Sequence, residues 1–189
     1  MIVIKLGGSL SRTEALVDCL NAVEKNYQGR VVIVPGGGAF ADQVRLAQQH
    51  WKFNDHTAHR MALLAMQQMA LLFKGLKPDF VLGHSLVAIQ DALSRKKIVI
   101  WSPDINELDS ADIPASWDIS SDSLSAWLAK ALSATTLILV KSATIDPRLK
   151  LEQLAALQLV DKGFCAAVAQ ARFEIQIINA EDVGLCFSP

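Results

Sequence analysis

Two glycine clusters stand where backbone can meet an anion. Gly7, Gly8 and Ser9 come after the β-branched run Ile2, Val3, Ile4, with Lys5 just before the turn. Gly36, Gly37 and Gly38 follow the apolar run 31–34 and Pro35. Glycines let a chain turn sharply and approach a ligand closely, and the next helix offers free N–H groups and a positive dipole end. One such loop is an ordinary tight turn. Two on successive strands, one led by a lysine, suit a ligand or pair of ligands carrying several phosphates or carboxylates. The Walker-type loop ending in Gly-Lys-Ser/Thr is absent. A dinucleotide fingerprint matches in part, as Gly36-x-Gly38-x-x-Ala41 with Asp55 beyond it. Its acid should end the next strand, whereas Asp55 precedes a long helix.

Other polar residues lie near these loops. Asp55, His56 and His59 open the helical stretch beyond the second cluster. The histidine spacing allows a shared face, but no third ligand lies nearby, so no metal is assigned. Their place beyond the loop points to contact with a bound acceptor, and His56 is singled out for it. His84 sits at another strand-to-helix turn, and Trp51 and Trp117 are the tryptophans suited to wall a pocket.

The elements that must position these residues alternate along the chain. Strands are expected at 2–4, 31–34, 80–82, 98–101, 136–140 and 174–178. Helices are expected at about 13–25, 38–49, 57–74, 85–93, 123–132, 149–159 and 164–171, with 102–116 irregular. This alternation predicts an α/β domain with a mostly parallel sheet covered by helices, one domain over 1–189. Apolar residues cover more than half the circumference of the 57–74 helix, so burial against a second copy, a homodimer, is expected there.

Composition narrows the class. The 189 residues are 51% hydrophobic, with 18 basic and 19 acidic side chains and a net charge of -1. That excludes a disordered chain and argues against holding nucleic acid or a membrane surface by bulk charge. No apolar run is long enough for a bilayer, and the N-terminus lacks a secretory pattern. Cys19, Cys165 and Cys186 have no metal-type spacing and read as reduced thiols, which fits a cytoplasmic protein.

Three segments carry a resemblance: Lys5-Leu6-Gly7-Gly8-Ser9, Val34-Pro35-Gly36-Gly37-Gly38, and the stretch from Trp117 to Ala126. In this order they resemble the amino acid kinase family, phosphotransferases built as a three-layer αβα sandwich. The resemblance implies transfer of the γ-phosphoryl group of ATP, with Mg2+ carried by the nucleotide, to a small anionic substrate. Lys5 would lie against the transferring group and Asp122 would organise it. Gly7, Gly8, Ser9, Lys141 and Asp146 would hold phosphates and nucleotide, while Gly36, Gly37 and Gly38 would shape the acceptor pocket. Length, the Trp117 segment and Val160-Asp161-Lys162 look most like the small aminomethylfuran phosphate kinases of methanofuran and one-carbon cofactor synthesis. The pattern departs in two places. Ser142 to Arg148 replaces an Asp-Gly nucleotide segment, and an alanine near 167 stands where many members have a second catalytic lysine, with Lys162 a possible substitute. A binding protein on a kinase scaffold is the competing expectation.

Overall fold

The computed structural model describes residues 1–27 and 29–186, with side chains through Gly184, so the Cys186 thiol lies outside the described residues. Six strands form one sheet in the order β3-β4-β2-β1-β5-β6. They are β1 (Ile2–Leu6), β2 (Val31–Pro35), β3 (Val81–Gly83), β4 (Val99–Trp101), β5 (Thr136–Lys141) and β6 (Glu174–Asn179). Every pairing is parallel, so the mostly parallel sheet expected is wholly parallel among the described residues. The central strands β1, β2 and β5 are apolar nearly end to end because helices cover both of their faces.

Helix α1 (Ala15–Asn26) packs Leu16, Cys19, Leu20 and Val23 on one face, against Ile4, Leu6, Ile33 and Val140. Helices α4 (Leu86–Ser94), α6 (Ser121–Ala131), α7 (Leu151–Ala156) and α8 (Phe164–Val168) cover the other, against Val3, Val32, Leu137 and Leu139. Between them, α2 (Gly38–Trp51) packs on α3 (Asp55–Leu76), and α3 sends side chains into both cores. A short helix α9 (Val183–Cys186) ends the described chain. The three-layer αβα architecture is therefore present.

The helices expected at 149–159 and 164–171 are shorter, α3 starts at Asp55 rather than 57, and two further differences bear on the site. The irregular stretch 102–116 contains a helix α5 (Ile105–Asp109), because Asp104 Oδ1 accepts from the N–H of Asn106 at 2.7 Å and of Glu107 at 3.1 Å. Helix α6 begins at Ser121 rather than 123, which moves Asp122 into its first turn.

The chain leaves β1 toward α1 on one face and β5 toward α7 and α8 on the other. That divergence opens a crevice beyond the C-terminal ends of these neighbouring strands, where open α/β sheets bind ligands.

Candidate active site

Side chains alternate along a strand, so Val3 and Lys5 face the core that α6 covers, while Ile4 and Leu6 face α1. The same period puts Lys141 on the face of Leu137 and Leu139, and Leu139 pairs in register with Lys5. The two lysines therefore emerge side by side, under the first turn of α6. Asp122 meets both. Its Oδ1 lies 2.8 Å from Lys5 Nζ, and Lys141 Nζ donates to both carboxylate oxygens at 2.8 and 2.6 Å. Lys5 and Asp122 are each 5% exposed at the side chain, and Lys141 is 12%.

Charges this deep alter one another. Burial alone would raise the Asp122 pKa, but Lys5 and then Lys141 overcome it and hold the carboxyl at about 2. Burial and the neighbouring Lys5 charge push Lys141 down to about 8, against the opposing pull of Asp122. Two ammonium groups thus share a single carboxylate as direct ion-pair partner.

The glycine loops close over it. Gly7 N–H donates to Val140 C=O at 3.1 Å and Gly36 N–H to Leu6 C=O at 2.9 Å. A Cβ on Gly8 would fall 2.3 Å from Gly38 N, and one on Gly36 would fall 2.5 Å from Gly8 N. The two loops thus touch backbone to backbone, an approach only glycine permits. Ser9 and Ser142 hydroxyls share a hydrogen bond of 2.7 Å across the crevice.

Beside the centre lies a cavity of about 370 Å³. Gly8, Ser9 and Gly36 to Gly38 form one wall, and Ser120 and Ser121, directly before Asp122, form another. Leu63, Met66 and Leu124 supply apolar surface. Trp117 presents its ring with the Arg45 guanidinium 3.9 Å from the ring centroid, and its Nε1 donates to Gln48 Oε1 at 2.6 Å. At the rim, Arg12 pairs with Asp42 at 2.6 Å.

The structure brings together most of the residues expected from sequence, but not all. Lys5, Gly7, Gly8, Ser9, Asp122 and Lys141 converge at the centre or its loops, and Gly36, Gly37 and Gly38 border the cavity. Lys141 does so as a partner of Asp122. Asp146 pairs instead with Arg148 at 2.8 Å and borders a separate groove of about 200 Å³ with Ile145, Leu154 and Ile177. His56 is exposed and outside the cavity lining, whereas His59, one turn from Asp55, is buried and lines it. The arc of α3 facing inward runs through Asp55, His59, Ala62, Leu63 and Met66, and His56 falls just past its edge. Burial lowers the His59 pKa, which favours a neutral imidazole there. Trp51 is 74% exposed, His84 is exposed, and neither borders the cavity. Lys162 is exposed and pairs with Asp118 at 3.1 Å. The sequence places Asp55, His56 and His59 together on the acceptor side and singles out His56; the i, i+4 spacing of Asp55 and His59 is the signal that singles out His59 instead. Asp161 stands out in sequence only within the Val160-Asp161-Lys162 segment, where it is given no role.

Comparison with known proteins agrees with the geometry. The sequence pattern of the amino acid kinase family matches residues 1–144. A curated 5-(aminomethyl)furan-3-yl-methyl phosphate kinase from Methanocaldococcus jannaschii is 28% identical over 141 residues, 74% of this chain and 64% of the relative. The chain thus matches less than two thirds of that relative's length. Among solved structures, uridylate kinase from Archaeoglobus fulgidus superposes with a TM-score of 0.75 at 16% identity, over 98% of this chain and 94% of that one. Aspartate kinase from Synechocystis gives a TM-score of 0.68 at 17% identity, over 96% of this chain and 38% of that one. At those identities the structures speak for the fold. The family pattern spans three-quarters of the sequence, including both glycine loops, Lys5, Asp122 and Lys141, and the chain belongs to the amino acid kinase family, a group of phosphotransferases.

Proposed function

We propose that this protein transfers a phosphoryl group from ATP, carried with Mg2+, to a small anionic acceptor. A furan phosphate of the aminomethylfuran type is the first candidate, in one-carbon cofactor synthesis in the cytoplasm. The observation that carries the reading is the buried Lys5–Asp122–Lys141 centre beside two glycine loops whose residues, with Ser120 and Ser121, border a small-molecule cavity.

The residues present fit a polyphosphate. Two ammonium groups share one carboxylate contact, and the loops beside them expose backbone where side chains cannot sit. Bound there, the nucleotide supplies the transferable phosphoryl group, and Mg2+ shares the charge of its phosphates. The chain's own part is electrostatic and positional. Lys5 and Lys141 neutralise charge on the phosphoryl oxygens, and Asp122 holds two like charges together that would otherwise repel. Lys141 thus acts as the second cation, a part that the resemblance gives in many members to a lysine near position 167. The cavity holds the acceptor. The Trp117 ring and the apolar floor suit a flat ring, while Arg12 and Arg45 suit its phosphate. Neutral His59 is a hydrogen-bonding group on the acceptor side, the part first given to His56. Asp146 is assigned to the nucleotide side.

A second copy of the chain is proposed along α3, where Leu64, Leu71, Leu72 and Leu76 lie exposed in a stripe at helical spacing, with Leu71 at 60%. The alternative, a scaffold that binds without turnover, draws on Arg148 holding Asp146 and on the alanine near 167. Calorimetry with a non-hydrolysable ATP analogue and Mg2+, followed by turnover on furan phosphates, separates the two. Binding in the range of about 1–100 μM with turnover is the expected result. Binding without turnover across phosphorylated acceptors favours the scaffold, and absence of both overturns the kinase reading.

The Lys141 charge predicts a pH profile. The free enzyme needs Lys141 protonated, so kcat/KM should fall about tenfold per pH unit above about pH 8. Stability should move the other way. Folding lowers this pKa, so between about 8 and 10.5 the unfolded chain binds more protons, and this lysine's contribution to stability rises with pH. A pH-rate curve beside a melting curve in the same buffers checks that the loss is titration rather than unfolding.

A further inference from the structure

Helix α6 starts at the one carboxylate that holds both lysines, yet its own N-cap does not satisfy it. Ser120 makes no side-chain cap to the helix. The capping oxygen comes from Asp161, in the segment just before α8. Asp161 Oδ2 accepts from Ser120 N–H at 2.8 Å, from Ser120 Oγ at 2.8 Å and from Ser123 N–H at 3.0 Å, and its Oδ1 accepts from Ser123 Oγ. The Asp161 N–H in turn donates to Asp122 Oδ2 at 3.2 Å. Nearby, Gly163 N–H donates to Asp118 C=O at 2.7 Å, and a Cβ on Gly163 would lie 2.9 Å from Ile119 Cγ1. The whole segment 161–163 is pressed onto the start of α6.

We propose that Asp161 is a positioning residue of the phosphate centre: it caps α6 from a distant segment and, through the helix and its own amide, fixes Asp122 between Lys5 and Lys141. Its role in turnover rests on the phosphotransferase reading; the placement of charge does not. A carboxylate at a helix start is favourable in its own right, so a plain cap is the competing explanation. The two differ in one respect. Asp161 also acts on Lys141, whose charged neighbours are Lys5 on β1, Asp122 on α6 and Asp161 itself. Its negative charge supports the protonated form of Lys141 against burial and Lys5.

The test is Asp161→Asn, which keeps the shape and the accepting oxygen but loses the charge, with Asp161→Ala as the harsher variant. Ser123→Ala, which removes one hydroxyl bond and leaves the charge, is the control that folds if neither does. Lysine side chains labelled with 15N are titrated by NMR in each folded variant, and kcat and KM are measured on the same samples. In Asp161→Asn the Lys141 titration should move below its position near pH 8, and kcat should drop by about tenfold to a hundredfold with the nucleotide KM little changed. Ser123→Ala should leave the Lys141 titration in place while lowering kcat through a looser Asp122. An unmoved Lys141 titration in Asp161→Asn, or an unchanged kcat in Ser123→Ala if that is the only folded variant, overturns the proposal and leaves a cap alone. If the wild type turns over no acceptor, the kinase reading fails separately, and the titration still decides whether Asp161 governs the centre.

Discussion

Lys5→Ala is expected to lower kcat by about two to three orders of magnitude while the protein still folds. Losing one preorganised charged donor at a transferring group costs about 3–4 kcal/mol of barrier. The fold survives because of the charge arrangement. Asp122 would keep Lys141, which already donates to both of its oxygens. The centre passes from two cations and one anion to a matched pair, so no buried charge is stranded. Removing the Lys5 charge also lifts one of the two pressures that depress Lys141. The cost to stability is then mainly the packing of the lysine stem beneath α6. Steady-state kinetics and thermal melting on one preparation check this. Unchanged turnover in a folded Lys5→Ala protein would sink the catalytic assignment.

Asp122→Asn should do what Lys5→Ala does not, and damage fold and function together. The amide leaves two ammonium groups close together in a site only 5–12% exposed, with no counter-charge between them. Breaking a buried pair by removing one partner costs about 3–5 kcal/mol. Part of that is relieved when Lys141 gives up its proton, which itself removes a phosphate-facing cation. Urea unfolding should therefore show a clearly lower midpoint, and kcat should be lost as well. The acid limb gives a second check. The folded pKa of Asp122, about 2, lies below its ordinary 3.8, so its contribution to stability is complete above about pH 4 and is lost as pH falls toward 2. That component should be missing from the variant's acid denaturation. A variant as stable as the wild type would refute the charge arrangement described here.

These two outcomes depend on what local patterns do and do not carry. All six strands were legible as short runs rich in β-branched or apolar residues, and in the central β1, β2 and β5 burial on both faces deepens that mark in sequence. Helix boundaries were less so. Asp104 caps α5 through a side-chain bond inside a proline-containing stretch, and α6 starts early because its cap arrives from Asp161, 41 residues beyond Ser120. The glycine loops were legible as close approaches, but their partners were not. Gly8 and Gly36 are glycine in part because each would collide with the other's loop. His56 and His59 share a helix start, and a fraction of a turn sends only His59 inward.

The sequence alone determined what depends on neighbours along the chain: a βα alternation, loops that free backbone N–H groups after β1 and β2, and a lysine entering the first of them. Only the tertiary structure decided which charges meet. Lys5, Asp122 and Lys141 come from three separate segments, and parallel pairing of β1 with β5, with α6 laid across them, brings them within hydrogen-bond reach; a fourth segment adds the Asp161 N–H to Asp122. A charge has no periodicity to announce its partner. Its place is set when the sheet register and the covering helix exclude water and leave the carboxylate between two ammonium groups.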